Sequence, residues 1–202
     1  MRGLPRLGRM GDERLATLVA AGDSAAFETL YDRHHAALLA FCRHMLGSRE
    51  DGEDALQQAF VRAHRSLAAG RTPDAVRPWL YAIARNRCLS MLAARRESGV
   101  AVEDADPGFD GLAEEVQRRA DLRELVGDLA RLPDDQREAL VLAELGDLSH
   151  PEIASVIGCP PVKVKALVFQ ARSSLIADRD ARSTPCGEIR QLLESAPGRR
   201  AP

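Results

Sequence analysis

The sequence predicts an all-α chain: two small helical domains joined by an extended acidic linker. Three observations predict it. Aromatic residues are only 4% of the chain, and Ala, Leu, Arg and Glu dominate, which favours helices packed through small side chains over sheets. Apolar residues recur at three- and four-residue spacing through 23–96 and again through 118–180. Between these blocks, 97–117 holds seven acidic residues and no basic one, with Gly99, Pro107, Gly108 and Gly111, the composition of a tether rather than a core. Residues 1–22 and 181–202 are read as tails.

Taken in order, Met1 to Arg9 is basic but leads into no apolar run, so it reads as a loose tail and not a secretory signal. Ser24 is the expected cap of a long helix whose Phe27, Leu30, Tyr31, Leu38, Phe41 and Met45 form one stripe, ended by Gly47. Ser48 to Asp51 has the pattern of a capping box for a second helix, with Leu56, Phe60, Ala63 and Leu67 facing inward. Gly70 to Pro73 is a turn. Pro78 opens a third helix carrying Trp79, Leu80, Ile83, Ala84, Leu89 and Leu92, and Trp79, in line with Leu80 and Ile83, is expected in the core.

In the later block, Ser149 caps a short helix with Pro151 in its first turn and Ile153, Val156 and Ile157 on one face. Gly158 supplies a left-handed stop, and Pro160-Pro161 can only begin a new element. The next helix runs from about Val162 to Leu175, with Val164, Leu167, Val168, Ala171 and Leu175 apolar at helical spacing. Two helices about so tight a break make a helix-turn-helix, which sets the first residues of its second helix against base edges in the major groove. Lys163 and Lys165, the chain's only lysines, fall there. A last helix is expected from about Cys186 to Ser195.

Formal net charge is −2, so the whole chain does not advertise a polyanionic partner; its distribution does. Residues 60–96 carry eight arginines against one acid, Asp74, and the helix from Pro161 adds Lys163, Lys165 and Arg172. Two cationic helical surfaces on an acidic tether suit a protein that grips nucleic acid at two separated places. No apolar stretch approaches the length of a membrane span. Cys42, Cys88, Cys159 and Cys186 lie far apart without a Cys-x-x-Cys, so they are expected to be buried or incidental thiols in a cytoplasmic protein. His34, His35 and His44 are expected at the surface or in caps rather than as metal ligands. No phosphate-binding glycine loop, nucleophile elbow or catalytic carboxylate pair appears. The expectation is therefore no enzyme, no cofactor and no metal.

The order of motifs is more specific than any one of them. Asp51-Gly-Glu-Asp54-Ala-Leu-Gln57-Gln-Ala-Phe60-Val-Arg62-Ala resembles the D-x-E-D-x-x-Q-x-x-F-x-R-A stretch of region 2 in bacterial sigma factors of the extracytoplasmic function (ECF) subgroup. Arg77-Pro-Trp79-Leu-Tyr81-Ala-Ile-Ala-Arg85-Asn86 resembles the same region's R-x-W-L-x-x-I-A-R-N segment. Leu132-Pro133-Asp-Asp-Gln-Arg137-Glu-Ala-Leu140, followed by the helix-turn-helix, is similar to region 4. The resemblance covers about 24–96 and 120–176. It implies that Asp51, Asp54, Gln57 and Gln58 dock on core RNA polymerase, with Asp54 the first choice. It implies that Arg77, Arg85, Asn86, Arg95 and Arg96, with the loop from Ala68 to Ala75, read the −10 promoter element and hold a flipped base. It further implies that the acidic linker threads through the polymerase, and that an anti-sigma protein holds the chain inactive.

Lys163, Lys165, Gln170 and Arg172 are the implied −35 contacts, but here the chain departs from the pattern. Many relatives have a K-S-R-x-H-R run where this one has Lys165-Ala-Leu-Val-Phe-Gln170, with apolar Leu167 and Phe169 in two of those places. These two are open to another reading, as a docking surface for a protein. Thr184-Pro-Cys186-Gly-Glu-Ile-Arg-Gln-Leu-Leu193 resembles the opening helix of a zinc-binding, anti-sigma-like domain that follows region 4 in some relatives. The H-x-x-x-C-x-x-C that such a domain needs does not follow, so no metal is expected in these residues. The alternative for the whole chain is a dimeric helix-turn-helix regulator of duplex operators, with 24–96 as a sensing or dimerisation module. Such a regulator needs neither the stripe ending at Asp54 nor the Arg85-Asn86 pair.

Overall fold

The computed structural model describes residues 7–98, 125 and 127–183. Most of the expected acidic linker, and residues 184–202 of the tail with its expected last helix, lie outside the described residues. Regular structure among the described residues is helical: α1 (Asp12–Ala20), α2 (Ser24–Leu46), α3 (Arg49–Ala68), α4 (Val76–Ser98), α5 (Asp134–Glu144), α6 (His150–Ile157) and α7 (Pro161–Ser183). A short helical segment at 127–131 precedes α5.

Helices α1 to α4 form the first bundle. The cap of α2 is Asp23 and not Ser24: the extended backbone of Asp23 lets its carboxylate accept from the N–H groups of Ala25 and Ala26 at 3.0 and 3.2 Å. Ser24 is already helical, so it cannot fill the role. Gly47 closes the helix at φ 66°, where a side chain would be strained. The Ser48 hydroxyl accepts from the Asp51 N–H at 3.3 Å, but Asp51 turns away to Arg95 instead of completing the box. Gly52 lets α2 and α3 touch, since a Cβ there would lie 2.6 Å from Cγ of Arg43.

The first core is built on Leu30, Leu38, Phe41, Leu67 and Tyr81. Tyr81 meets Phe41 edge-on, ring centres 5.4 Å apart. Tyr31 leaves the expected inward stripe: it is exposed and stacks on His35 at 5.3 Å. His34 departs in the other direction. It is buried, with Nε2 2.7 Å from the Asp12 carboxylate. It therefore ties α1 to α2 rather than facing solvent, because Asp12 offers the buried ring a charged partner. Cys42 and Cys88 are free and buried.

In the second bundle, Leu142, Ile153 and Val164 are buried at the meeting of α5, α6 and α7. The Glu152 carboxylate receives both the N–H and the hydroxyl of Ser149, at 2.8 and 2.6 Å, and Gly158 turns the chain at φ 78°. Helix α7 continues to Ser183, beyond the expected end near Leu175.

The two bundles also touch, which no local pattern announces. Arg77 donates to the carbonyl of Gly146 and lies 3.5 Å from Asp147. Arg85 pairs with Glu138, and Arg96 with Asp134 at 2.8 Å. Gly146 is required at this joint: an added Cβ would lie 2.5 Å from the Leu142 carbonyl oxygen and 3.3 Å from the Tyr81 ring. The buried apolar residues of both bundles form one continuous cluster.

Candidate nucleic-acid and protein interfaces

A groove of about 1010 Å³ runs between α3 and α4. Helical spacing builds it. Gln58, Arg62 and Arg65 recur along one face of α3, and Trp79, Ile83 and Asn86 along the facing side of α4. Arg71, from the loop between these helices, and Arg87 complete a cationic rim. Trp79 is half-buried against the core yet presents a face to the groove, so it is both core and groove floor. Arginines around an aromatic and apolar floor can hold phosphates at the rim while a base lies on the ring. The buried Nε of Arg87 has no hydrogen-bond partner among the described residues.

The residues expected to read the −10 element do not stay together. Asn86 lines the groove. Arg77, Arg85 and Arg96 are engaged by the second bundle. Arg95 pairs with Asp51 and donates to the Leu46 carbonyl at 3.0 Å, a strut closing the end of α4 onto the turn between α2 and α3. Arg65 and Arg87 are visible in the sequence only as charge, whereas Arg62 stands in the motif that resembles region 2 and Arg71 in the loop expected to read the −10 element. That 58, 62 and 65 lie one turn apart on α3 is the signal that could have located the groove.

The expected polymerase face is similarly redistributed. Asp54 and Gln57 are exposed on α3, and Asp54 has no ion-pair partner among the described residues. Gln58 is exposed and faces the cationic groove, whereas Asp51 is half-buried against Arg95. Glu53 is held between Arg43 and Arg49 at 2.8 and 3.1 Å, and their hydrogen bonds keep its carboxyl below the usual range. Gln57 also borders a second, apolar groove of about 530 Å³ lined by Phe27, Tyr31, His35, Phe60, Val61 and His64. Phe27 and Phe60 meet edge-on there, ring centres 6.2 Å apart.

On the second bundle, Lys163, Lys165, Gln170 and Arg172 are all exposed on α7, with Arg172 paired to Glu144. Neither lysine has an ion-pair partner among the described residues. Leu167 is buried at 5% exposure and Phe169 is open at 71%. Of the two residues left open to a docking reading, only Phe169 is available to it: Leu167 falls on the face that closes the second core, in line with Val164, Val168 and Ala171.

Comparison with known proteins divides the chain in the same way. Residues 30–98 match the family described as Sigma-70 region 2, and residues 123–175 match Sigma-70, region 4. The RNA polymerase sigma-H factor of Pseudomonas aeruginosa is 33% identical over 176 residues, covering 81% of this chain and 91% of its own length. The ECF RNA polymerase sigma factor SigM of Mycobacterium tuberculosis is 34% identical over 165 residues, covering 81% of this chain and 82% of its own. Among solved structures, CnrH in complex with the cytosolic domain of CnrY superposes with a TM-score of 0.65 at 29% identity, over 84% of this chain and 97% of that one. The sigma factor RpoE bound to the anti-sigma factor NepR, from Bartonella quintana, gives 0.62 at 27% identity, over 74% and 93%.

Proposed function

The chain belongs to the ECF sigma factors of the sigma-70 family, and from that premise we propose how its own surfaces divide the work of initiating transcription. Asp54 and Gln57, exposed on α3, contact core RNA polymerase, where a carboxylate meets basic side chains. The groove between α3 and α4 receives the unpaired strand of the −10 element. Helix α7 enters the major groove of duplex DNA further upstream, at the −35 element. The single observation that carries this reading is the groove itself: four arginines around an indole, with Asn86 beside them.

A duplex cannot present an unstacked base to such a floor, so binding there favours separated strands. Opening then draws on binding free energy and needs no catalytic residue in this chain. Three of the arginines implied in −10 recognition, Arg77, Arg85 and Arg96, are engaged by the second bundle. They become available only if the bundles part, which the geometry of two separated promoter elements also demands. Both solved relatives were captured with a partner, in one case named an anti-sigma factor; we assign this chain an anti-sigma partner that favours the joined arrangement. It acts in the cytoplasm, where its polymerase works, and no helix among the described residues is long and apolar enough to cross a membrane. The resemblance of 184–193 to the start of a zinc-binding anti-sigma-like domain belongs to this proposal. Cys186 would supply one thiolate where a tetrahedral site needs four ligands, so these residues are assigned no metal.

Run-off transcription with purified core polymerase tests the proposal. Specific starts that appear only when the chain is added support it. Tight binding of promoter duplex by the chain alone, with no effect on initiation, would instead identify the operator-binding regulator.

A further inference from the structure

The outward crest of α7 is apolar where a groove-reading helix is usually polar. Among the described residues, the three most exposed large apolar side chains are Val162 at 81%, Phe169 at 71% and Ile176 at 61%. All three lie on this helix, seven residues apart, hence two turns along on nearly the same face. The buried residues Val164, Leu167, Val168 and Ala171 define the opposite face. Val162, Ala166 and Phe169 therefore point directly away from the second core. Lys165 and Arg172 lie on one flank of this crest, Lys163 and Gln170 on the other.

We propose that Val162, Ala166 and Phe169 read the 5-methyl groups of thymines in the major groove, so that this chain selects a thymine-bearing upstream element by apolar contact. The inference rests on the reading of α7 as the duplex-binding helix and specifies what it recognises. The major groove admits one helix, whose crest meets base edges while its flanks meet the two phosphate strands. Here both flanks carry cations suited to phosphate, and the crest from Val162 to Phe169 carries no side chain that can hydrogen-bond a base; the exposed Ser173 stands one turn beyond Phe169 on the same face. Thymine is the one base that offers an apolar feature on that edge, and Phe and Ala are among the side chains that contact it. Large exposed apolar surface is otherwise a liability unless a partner covers it. Ile176 stands about 10 Å along the axis beyond Phe169 and is left outside the contact.

The test uses the full chain assembled with core polymerase. Upstream duplexes are selected from a random library joined to a fixed pre-opened downstream bubble, and the selected sequences are then remade with uracil for thymine. Uracil lacks only the methyl group, so affinity is expected to fall about fourfold for each contacted position. Phe169→Ala should erase most of that difference, while Lys165→Ala should weaken thymine and uracil duplexes by the same factor. Phe169 is exposed, so its replacement leaves the core intact, which the thermal unfolding curve checks. A selected element bound equally well with uracil overturns the inference and leaves duplex recognition by α7 standing. A library from which no upstream sequence is enriched overturns that underlying reading as well. If Phe169→Ala leaves DNA affinity unchanged but lowers affinity for polymerase, the crest is a protein-docking surface and the inference falls.

Discussion

Arg85 of α4 and Glu138 of α5 form an ion pair across the joint between the bundles, with Nη2 and Oε2 3.2 Å apart in the second of two contacts. The Glu138 side chain is 5% exposed and that of Arg85 18%. Burial pushes the Glu138 carboxyl above the usual carboxylate range, an effect that Arg85 offsets only in part. The pair thus holds a residue implied in −10 recognition against the domain proposed to read the upstream element.

Arg85→Ala would strand a buried carboxylate, at a cost of about 3–5 kcal/mol to the joint. The bundles should separate, seen as a larger radius of gyration in small-angle scattering. Because the carboxyl is raised in the joined form, protonation favours joining, and stability of the joint declines as pH rises through the Glu138 value. Glu138→Gln, which mimics the protonated acid, should therefore stay compact at neutral pH. A compact Arg85→Ala variant would show that apolar packing alone closes the joint.

Arg65→Ala and Arg71→Ala should each weaken binding of a single-stranded −10 oligonucleotide several-fold, measured by fluorescence anisotropy with the chain on core polymerase. Arg95→Ala should behave differently: with its bonds to Asp51 and the Leu46 carbonyl gone, the first bundle should melt earlier. An equal drop in oligonucleotide binding without a melting shift would move Arg95 from strut to DNA contact.

Asp54→Arg should abolish co-purification with core polymerase while leaving the helical circular dichroism unchanged, since Asp54 is exposed and makes no ion pair among the described residues. Retained binding would take Asp54 out of the interface.

Replacing both Lys163 and Lys165 by Ala should lower −35-dependent initiation more than polymerase binding. For every lysine–phosphate pair removed, the slope of log affinity against log salt should shrink by about 0.9. An unchanged slope would place both lysines off the backbone.

Burial pushes the Asp12 carboxyl up, but the hydrogen bonds and charges of His34 and Arg33 outweigh it and hold it below its ordinary value. Its contribution is therefore complete above about pH 4 and is lost as pH falls through the depressed value. Asp12→Asn should lower stability by about 1–2 kcal/mol at neutral pH and flatten acid unfolding, as followed by urea titrations across pH.

The sequence determined most of the elements and the kind of partner; α1 is the exception, since Asp12–Ala20 lies within the residues read as a tail yet packs Leu15, Ala16 and Val19 into the first core. Helical periodicity, Gly47, Gly158 and the prolines before α7 fix where helices run, because each acts through neighbours within one or two turns. The arginine excess of 60–96 and the paired lysines mark polyanion-binding faces in the same local way. Tertiary structure decided how those charges are shared. Arg62, Arg65, Arg71 and Arg87 became one groove through the packing of α3 on α4, whereas Arg77, Arg85 and Arg96 were taken up by groups some forty to seventy positions away. The opposite fates of Leu167 and Phe169, by contrast, follow from helical spacing alone: two residues apart means about 200° around the axis, and Leu167 shares the buried stripe of Val164, Val168 and Ala171. Periodicity says that a face exists. Which charge meets which depends on surfaces brought together from distant parts of the chain.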